Sequence, residues 1–200
     1  MNRCLICFKT VEFSLTRKKV CNRCLSEFEI INKQLVIDDV EVLIIYKYND
    51  FFKELLYRYK GCYDYLLKNA FFNDEVTRLK KKYKGRKIIC APSSKKSDKK
   101  RGYRHVKEIA KLLDLEIIDC LSKKKEYKQS DQKYEDREKI QNVIQIDKKK
   151  VKGIKKVLIM DDVTTSLSTI RTIIRLLPTE IDKKVLILAS NCRFLENEKN

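Results

Sequence analysis

Residues 157–169, VLIMDDVTTSLST, constrain the fold more than any other stretch of the chain. Val157 to Met160 form an unbroken apolar run, the pattern of a strand buried on both faces of a parallel sheet. The run ends in adjacent carboxylates, Asp161 and Asp162. Hydroxyls follow at Thr164, Thr165, Ser166, Ser168 and Thr169. Ile170, Ile173, Ile174 and Leu177 then repeat at i, i+3, i+4 and i+7, the period of one helix face. The stretch predicts a buried strand, an acidic and hydroxyl-rich loop, and a helix. In an open α/β sheet, ligands sit at the carboxyl ends of the strands. A loop of backbone N–H groups and hydroxyls opening a helix is a cradle for phosphate.

Two hundred residues suffice for one full domain and a small appendage. The net charge of +18 attracts phosphates, nucleic acid or an acidic partner. Lysine is spread through every segment, so the charge permits polyanion binding without proving it. No apolar run approaches a membrane span, and the N-terminus lacks the apolar core of a signal peptide. The expected location is the cytoplasm, where the eight cysteines are reduced thiols or metal ligands.

Cys4, Cys7, Cys21 and Cys24 form two C-x2-C pairs separated by thirteen residues. Each pair can place two thiolates on one ion at a tight turn, and four complete a closed tetrahedral zinc site. A redox C-x-x-C would need only one copy. With no open coordination position, the expected role of Zn2+ is structural: it folds a segment too short to build its own core. Nearby Arg3, Lys9, Arg17, Lys18, Lys19 and Arg23 offset the thiolate charge or form a nucleic-acid face. Cys62, Cys90, Cys120 and Cys192 read as small core residues.

Between these features, residues 40–48 predict a strand or hairpin, and residues 51–60 and 63–83 predict helices. Tyr57, Tyr59, Tyr63, Tyr65, Phe71 and Phe72 alternate with basic residues. Such interleaving either stacks bases or marks a core stripe beside a solvated face. Residues 87–91 predict a short strand ending at Pro92, Ser93 and Ser94, followed by a basic loop with Lys95, Lys96, Lys99, Lys100 and Arg101. Such a turn can hold a pyrophosphate through N–H groups and cationic side chains. Tyr103, Val106, Ile109, Ala110 and Leu113 mark an amphipathic helix. His105, the single histidine, is expected to make a polar contact in or beside a site. Short strands are expected at 115–118, 143–146 and 185–190.

A phosphate loop of the G-x-x-x-x-G-K-[ST] kind and a G-x-G-x-x-G turn are both absent, and position 163 is Val, which breaks a D-x-D pair. The reading that uses every residue of 157–169 is a ribose-5-phosphate site. Adjacent carboxylates accept from a vicinal diol, the hydroxyl loop takes the 5-phosphate, and Mg2+ bridges the diol and a diphosphate.

That stretch resembles the phosphoribosyl diphosphate (PRPP) motif of type I phosphoribosyltransferases. The whole chain resembles the ComF competence family, whose members carry a four-cysteine zinc finger on a phosphoribosyltransferase-like domain. Cys4, Cys7, Cys21 and Cys24 fit the finger, Ala91-Pro92 the strand-end turn, and Arg101-Gly102-Tyr103 an Arg-Gly-Phe signature. Gln129 and Arg137 fit the Gln…Arg arm. The resemblance implies an α/β fold: a type I phosphoribosyltransferase-like parallel sheet over residues 41–200 with a zinc finger over 1–40. It implies Asp161 and Asp162 on the ribose hydroxyls, as the catalytic pair if the protein is an enzyme. Thr164, Thr165, Ser166, Leu167, Ser168, Thr169, Pro92, Ser93 and Arg101 would line the rest of the PRPP site, with Mg2+ bound alongside PRPP. The implied setting is cytoplasmic DNA uptake in natural transformation, near single-stranded DNA and a DNA-translocating helicase. No acceptor for a phosphoribosyl group follows from it.

Leu167 stands where the family's loop carries Gly. A Leu at positive φ costs on the order of 1 kcal/mol. A loop that keeps φ negative can still bind phosphate; the substitution can equally weaken or abolish binding. The alternative is a non-enzymatic nucleic-acid-binding module on a degenerate phosphoribosyltransferase scaffold. A nucleobase salvage transferase ranks last, because residues 182–200 offer only one strand and a polar tail with Phe194.

Overall fold

The chain folds around β6 (Lys156–Thr164). A computed structural model describes residues 3–10, 19–72, 75–123 and 144–191. Gln129, Arg137, Arg17, Lys18, Cys192 and Phe194 lie outside the described residues. In the five-stranded sheet, β1 (Ile30–Ile37) neighbours β2 (Val40–Lys47), then come β7 (Asp182–Ser190), β6 and β3 (Lys87–Cys90). Strands β2, β7, β6 and β3 run parallel, and β1 is the antiparallel edge. The fold is thus mixed α/β with a mostly parallel sheet. Of the strand expected at 115–118, one parallel bridge forms, Ile88 to Ile117, on the edge beyond β3. A separate two-stranded sheet pairs β4 (Leu121–Lys123) with β5 (Ile144–Ile146).

The unbroken apolar run of β6 is buried on both faces because side chains alternate along a strand. Val157 and Ile159 join one core with Ile170 and Ile173 of α6 (Ser168–Leu176). Leu158 and Met160 join another with Leu55 and Tyr59 of α2 (Asp50–Lys60) and Ile109 of α5 (His105–Ala110). This alternation carries past the apolar run. It turns Asp161 toward the α6 side and Asp162 toward the α2 and α5 side.

Three expectations are corrected. The helix expected over 63–83 is not continuous. Tyr65–Ala70 is a 3-10 helix, followed by α3 (Glu75–Lys82). Leu67, Ala70, Phe71 and Phe72 are all fully buried. A 3-10 turn stacks Leu67 over Ala70 at i, i+3, and the adjacent phenylalanines then both enter the core. Tyr63 and Leu66 are exposed. The basic loop expected after Ser94 is the helix α4 (Lys95–Arg101). Ser94 Oγ caps it by accepting from the Ser97 N–H at 3.1 Å, and Gly102 ends it at φ 82°. A helix with no buried residue has no apolar period to read. Asp161 to Thr164 continue β6 and do not open a loop.

The β1–β2 hairpin straddles the division expected at residue 40, so residues 30–37 pair into the main sheet. Cys90 and Cys120 are buried as expected, whereas Cys62 is exposed at the turn leaving α2. Among the described residues no helix is long and apolar enough to cross a membrane.

Phe71 packs against Phe52 and Tyr59 at ring-centroid distances of 5.7 Å and 5.3 Å. Phe71→Ala is expected to destabilise the fold by about 3–5 kcal/mol, read as a lower denaturant midpoint with an unchanged slope.

Candidate functional site

Two clusters of chemistry-bearing side chains stand out. In the first, Sγ of Cys4, Cys7, Cys21 and Cys24 all lie within 4.8 Å of one another. A tetrahedral ion at the usual Zn–S length of ~2.3 Å requires S···S separations of roughly 3.8 Å. The Cys7–Cys21 pair stands at 3.8 Å. The N–H groups of Ile6 and Cys21 both point at Cys4 Sγ, at 3.4 Å. Burial pushes the Cys4 thiol up, but the Cys7, Cys21 and Ile6 backbone N–H groups outweigh it and bring it down to about 6. Burial pushes the Cys24 thiol the other way. It is the clustering of the four sulfurs that suits the set to a thiolate-seeking metal. Arg58 of α2 clamps the first knuckle: its Nη1 donates to the Ile6 carbonyl at 2.8 Å, and its guanidinium lies over the Phe8 ring.

The second cluster occupies a cleft of about 390 Å³ at the carboxyl end of β6 and β3. Asp161, Asp162, Pro92, Ser93, Arg101 and Thr169, all named from the sequence, line it together. Thr164, Thr165, Ser166, Leu167 and Ser168 do not. Thr164 is buried and accepts the Leu167 N–H on Oγ1 at 2.9 Å. Thr165 and Ser166 are exposed, beside the cleft.

Each aspartate folds back on the chain. Asp161 Oδ1 accepts from the Asp162 N–H at 2.9 Å, and Asp162 Oδ1 accepts from the Val163 N–H at 2.8 Å. Oδ2 of Asp162 is buried and faces the Lys60 ammonium, in direct contact, and His105 Nε2 at 3.0 Å. Burial pushes Asp162 up, but the Lys60 charge and the His105 contact outweigh it and hold the carboxyl well below the usual range. Asp161 goes the other way. Burial, then the charge of Asp162, raises it to about 8. The two neighbouring carboxyls are thus shifted in opposite directions by their surroundings, as in other coupled carboxylates.

Arg101 does not reach into the cleft as a free cation. Its Nε donates to the Lys60 carbonyl at 3.2 Å, and its Nη1 lies 3.3 Å from Asp98 and 3.1 Å from His105 Nδ1. An arginine can only donate, so Nδ1 accepts and the ring N–H is at Nε2, on the side of Asp162. Ser93 donates its hydroxyl to Asp98. Lys60 went unnoticed in the sequence: it is one of 46 basic residues, and only the packing of α2 brings it to β6. His105 carried the sole signal of being unique.

Leu167 resolves the question its position raised. Its φ is 55° and its ψ 4°, so the loop keeps the left-handed backbone that Gly ordinarily supplies. The side chain is 1% exposed and packs with Ile159, Ile170 and Ile173. Burial of a Leu contributes about 2 kcal/mol, enough to offset a strain on the order of 1 kcal/mol.

A carboxyl whose pKa is raised on folding contributes stability below its unfolded pKa and loses that contribution as pH rises through the folded one. Asp161 therefore weakens the fold between its ordinary 3.8 and about 8. Asp162, depressed, contributes stability throughout that window and loses it only in acid. Asp161→Asn is expected to flatten the wild-type loss of stability between pH 5 and pH 8 by roughly 1–3 kcal/mol, at ~1.4 kcal/mol per pKa unit. Urea unfolding across that range checks it, and parallel wild-type and variant curves refute the assignment.

No protein-family model matches the chain. It is 31% identical over 133 residues to "Competence protein ComFC" of Streptococcus pneumoniae (strain ATCC BAA-255 / R6). That match covers 66% of this chain and 60% of the relative, so less than two thirds of the relative's length is spanned. Among solved structures, a hypoxanthine phosphoribosyltransferase from Staphylococcus aureus matches 60% of this chain and 61% of its own, with 19% identity and a TM-score of 0.36.

Proposed function

We propose that this chain is a ComF-type, phosphoribosyltransferase-like protein that binds PRPP with Mg2+ and serves cytoplasmic DNA uptake. One observation carries the reading: two adjacent carboxylates, oppositely shifted, lie at the carboxyl end of a central parallel strand and face a Pro-Ser-Ser turn across a cleft. Asp162, held ionised by the Lys60 charge, accepts from one ribose hydroxyl. Asp161 accepts from the other once its proton leaves. Thr165, Ser166 and the N-terminus of α6 take the 5-phosphate, and the left-handed Leu167 keeps that turn in shape. Mg2+ supplies charge neutralisation to the diphosphate when bound. Lys60 contacts Asp162 in the free protein and is placed to offset ligand charge.

Calorimetric titration with PRPP and Mg2+ tests the site. Wild type is expected to release heat, and Asp162→Asn to weaken binding at least tenfold, because it removes the anion that accepts from the diol. Equal heats for the two proteins overturn the assignment.

The four cysteines hold one structural Zn2+ in this reading, supported by the S···S distances and by the N–H groups on Cys4. Metal analysis is expected to find one zinc per chain. Cys7→Ser is expected to lose it and to lower the midpoint of unfolding. A full-length protein free of zinc, yet equally stable, contradicts this.

A second reading rests on a separate cleft of about 670 Å³ lined by Lys148, Lys149, Lys152 and Lys155, beside the amino end of β6. There the protein holds single-stranded DNA through its phosphates, close to the uptake helicase. Affinity for an oligonucleotide is then expected to fall steeply with salt. Lys149→Glu/Lys152→Glu is expected to weaken it severalfold. Binding indifferent to both excludes this reading.

A further inference from the structure

The turn at residues 101–103, between α4 and α5, grips the last turn of α2. Carbonyls at the end of a helix lack intrahelical partners, and here two of them are met by side chains of this one turn. Arg101 Nε donates to the Lys60 carbonyl at 3.2 Å, and the Tyr103 hydroxyl donates to the Tyr59 carbonyl. Gly102, in the left-handed region, reverses the chain between them. The grip is mutual: the Tyr59 hydroxyl donates to the His105 carbonyl at 3.0 Å, and the Tyr59 and Tyr103 rings pack with centroids 5.3 Å apart.

The same arginine orients the His105 ring. Its side chain is 9% exposed, and Nη1 lies 3.1 Å from His105 Nδ1. With Nδ1 accepting, the ring proton is on Nε2, which stands 3.0 Å from Asp162 Oδ2. Lys60, whose carbonyl Arg101 holds, meets that same oxygen. Both partners of Asp162 are therefore set by one side chain. Asp98 braces Arg101 in turn: its Oδ1 faces Nη1 at 3.3 Å and also accepts the Ser93 hydroxyl. Of the three guanidinium nitrogens, Nη2 alone has no hydrogen-bond or ion-pair partner among the described residues.

We propose that Arg101 is a positioning residue for ligand capture at Asp162, acting through His105 and Lys60 and not by touching the ligand. The proposal rests on the ribose-diol reading of the cleft. Arg101 holds His105 as its Nε2–H tautomer, and that N–H and the Lys60 ammonium keep the Asp162 carboxylate in one orientation. A carboxylate free to rotate loses that freedom when the diol arrives, so a preoriented one binds more tightly. Tyr103, through Tyr59, steadies the same turn. Histidine suits the position because one ring nitrogen accepts while the other donates. A glutamine side chain can also do both, through its carbonyl and its amide, whereas leucine can do neither.

The single histidine makes the test clean, since the full-length 15N-labelled protein gives one set of imidazole signals. At about pH 8, where an ordinary imidazole is neutral, the wild type is expected to show the Nε2–H tautomer, and Arg101→Met to show a mixture of the two. A doubly protonated ring, an Nδ1–H tautomer, or a tautomer that Arg101→Met leaves intact overturns the proposal. PRPP–Mg2+ titration supplies the second readout. Arg101→Met and His105→Leu are each expected to weaken binding about tenfold, and the double variant little more than either, because Arg101 acts through His105. Additive losses mean that Arg101 Nη2 reaches the ligand directly, which refutes the positioning role. His105→Gln is expected to restore binding, and equal weakness of His105→Gln and His105→Leu refutes it too. That pair leaves Arg101 untouched, so the proposal stays decidable if Arg101→Met does not fold. A protein that ignores PRPP, yet loses the Nε2–H tautomer in Arg101→Met, keeps the Arg101–His105 link and removes both the PRPP reading and the positioning role built on it.

Discussion

The contact of Lys60 and His105 with Asp162 joins the fold to its chemistry. An ionised carboxylate that is 5% exposed is costly unless charge is placed beside it. Here two separate helices supply its partners: α2 delivers the Lys60 ammonium from its last turn, and α5 delivers the His105 ring from its first. Arg101 fixes both, through the Lys60 carbonyl and the His105 ring. Without this arrangement Asp162 would drift toward the neutral form, and its partner Asp161 would no longer be the one that keeps the proton.

The parallel sheet makes the arrangement available. Because β6 is buried on both faces, its alternation sends consecutive side chains into different cores. At its carboxyl end the same alternation separates two adjacent aspartates into different surroundings. Asp162 meets the Lys60 ammonium from α2 and the His105 ring from α5. Asp161 is raised by burial and by its neighbour's charge, which outweigh the Asp162 N–H and the Lys60 charge. Strand alternation gives the two residues different surroundings, and those partners set the opposite shifts.

Legibility in the sequence followed the kind of signal each element carries. Strand β6 and helix α6 were readable because apolar runs and 3.6-residue periods are local. The four cysteines were readable because spacing encodes ligand geometry. Helix α4 was hidden, since it buries nothing and is fixed by a Ser cap and a left-handed Gly. The break after Ala70 was hidden too, because whether two adjacent phenylalanines both turn inward depends on the cavity that receives them. In the cleft, Asp161, Asp162, Pro92 and Thr169 were found from motif order. Lys60 was not, and Arg101 was found for a role in which its side chain is instead occupied by Asp98, His105 and a helix end.

By itself, then, the sequence determined a parallel α/β core ending in a carboxylate pair, with a four-cysteine knuckle at its start. Period, composition and spacing are properties of neighbouring residues, and they survive being read along a line. Only the tertiary structure decided which aspartate is paired with Lys60 and His105, and that Leu167 keeps a glycine-like turn. Each of those depends on desolvation, on charge at a few ångströms, or on burial against distant residues. Such quantities exist only once segments far apart in the chain have packed together.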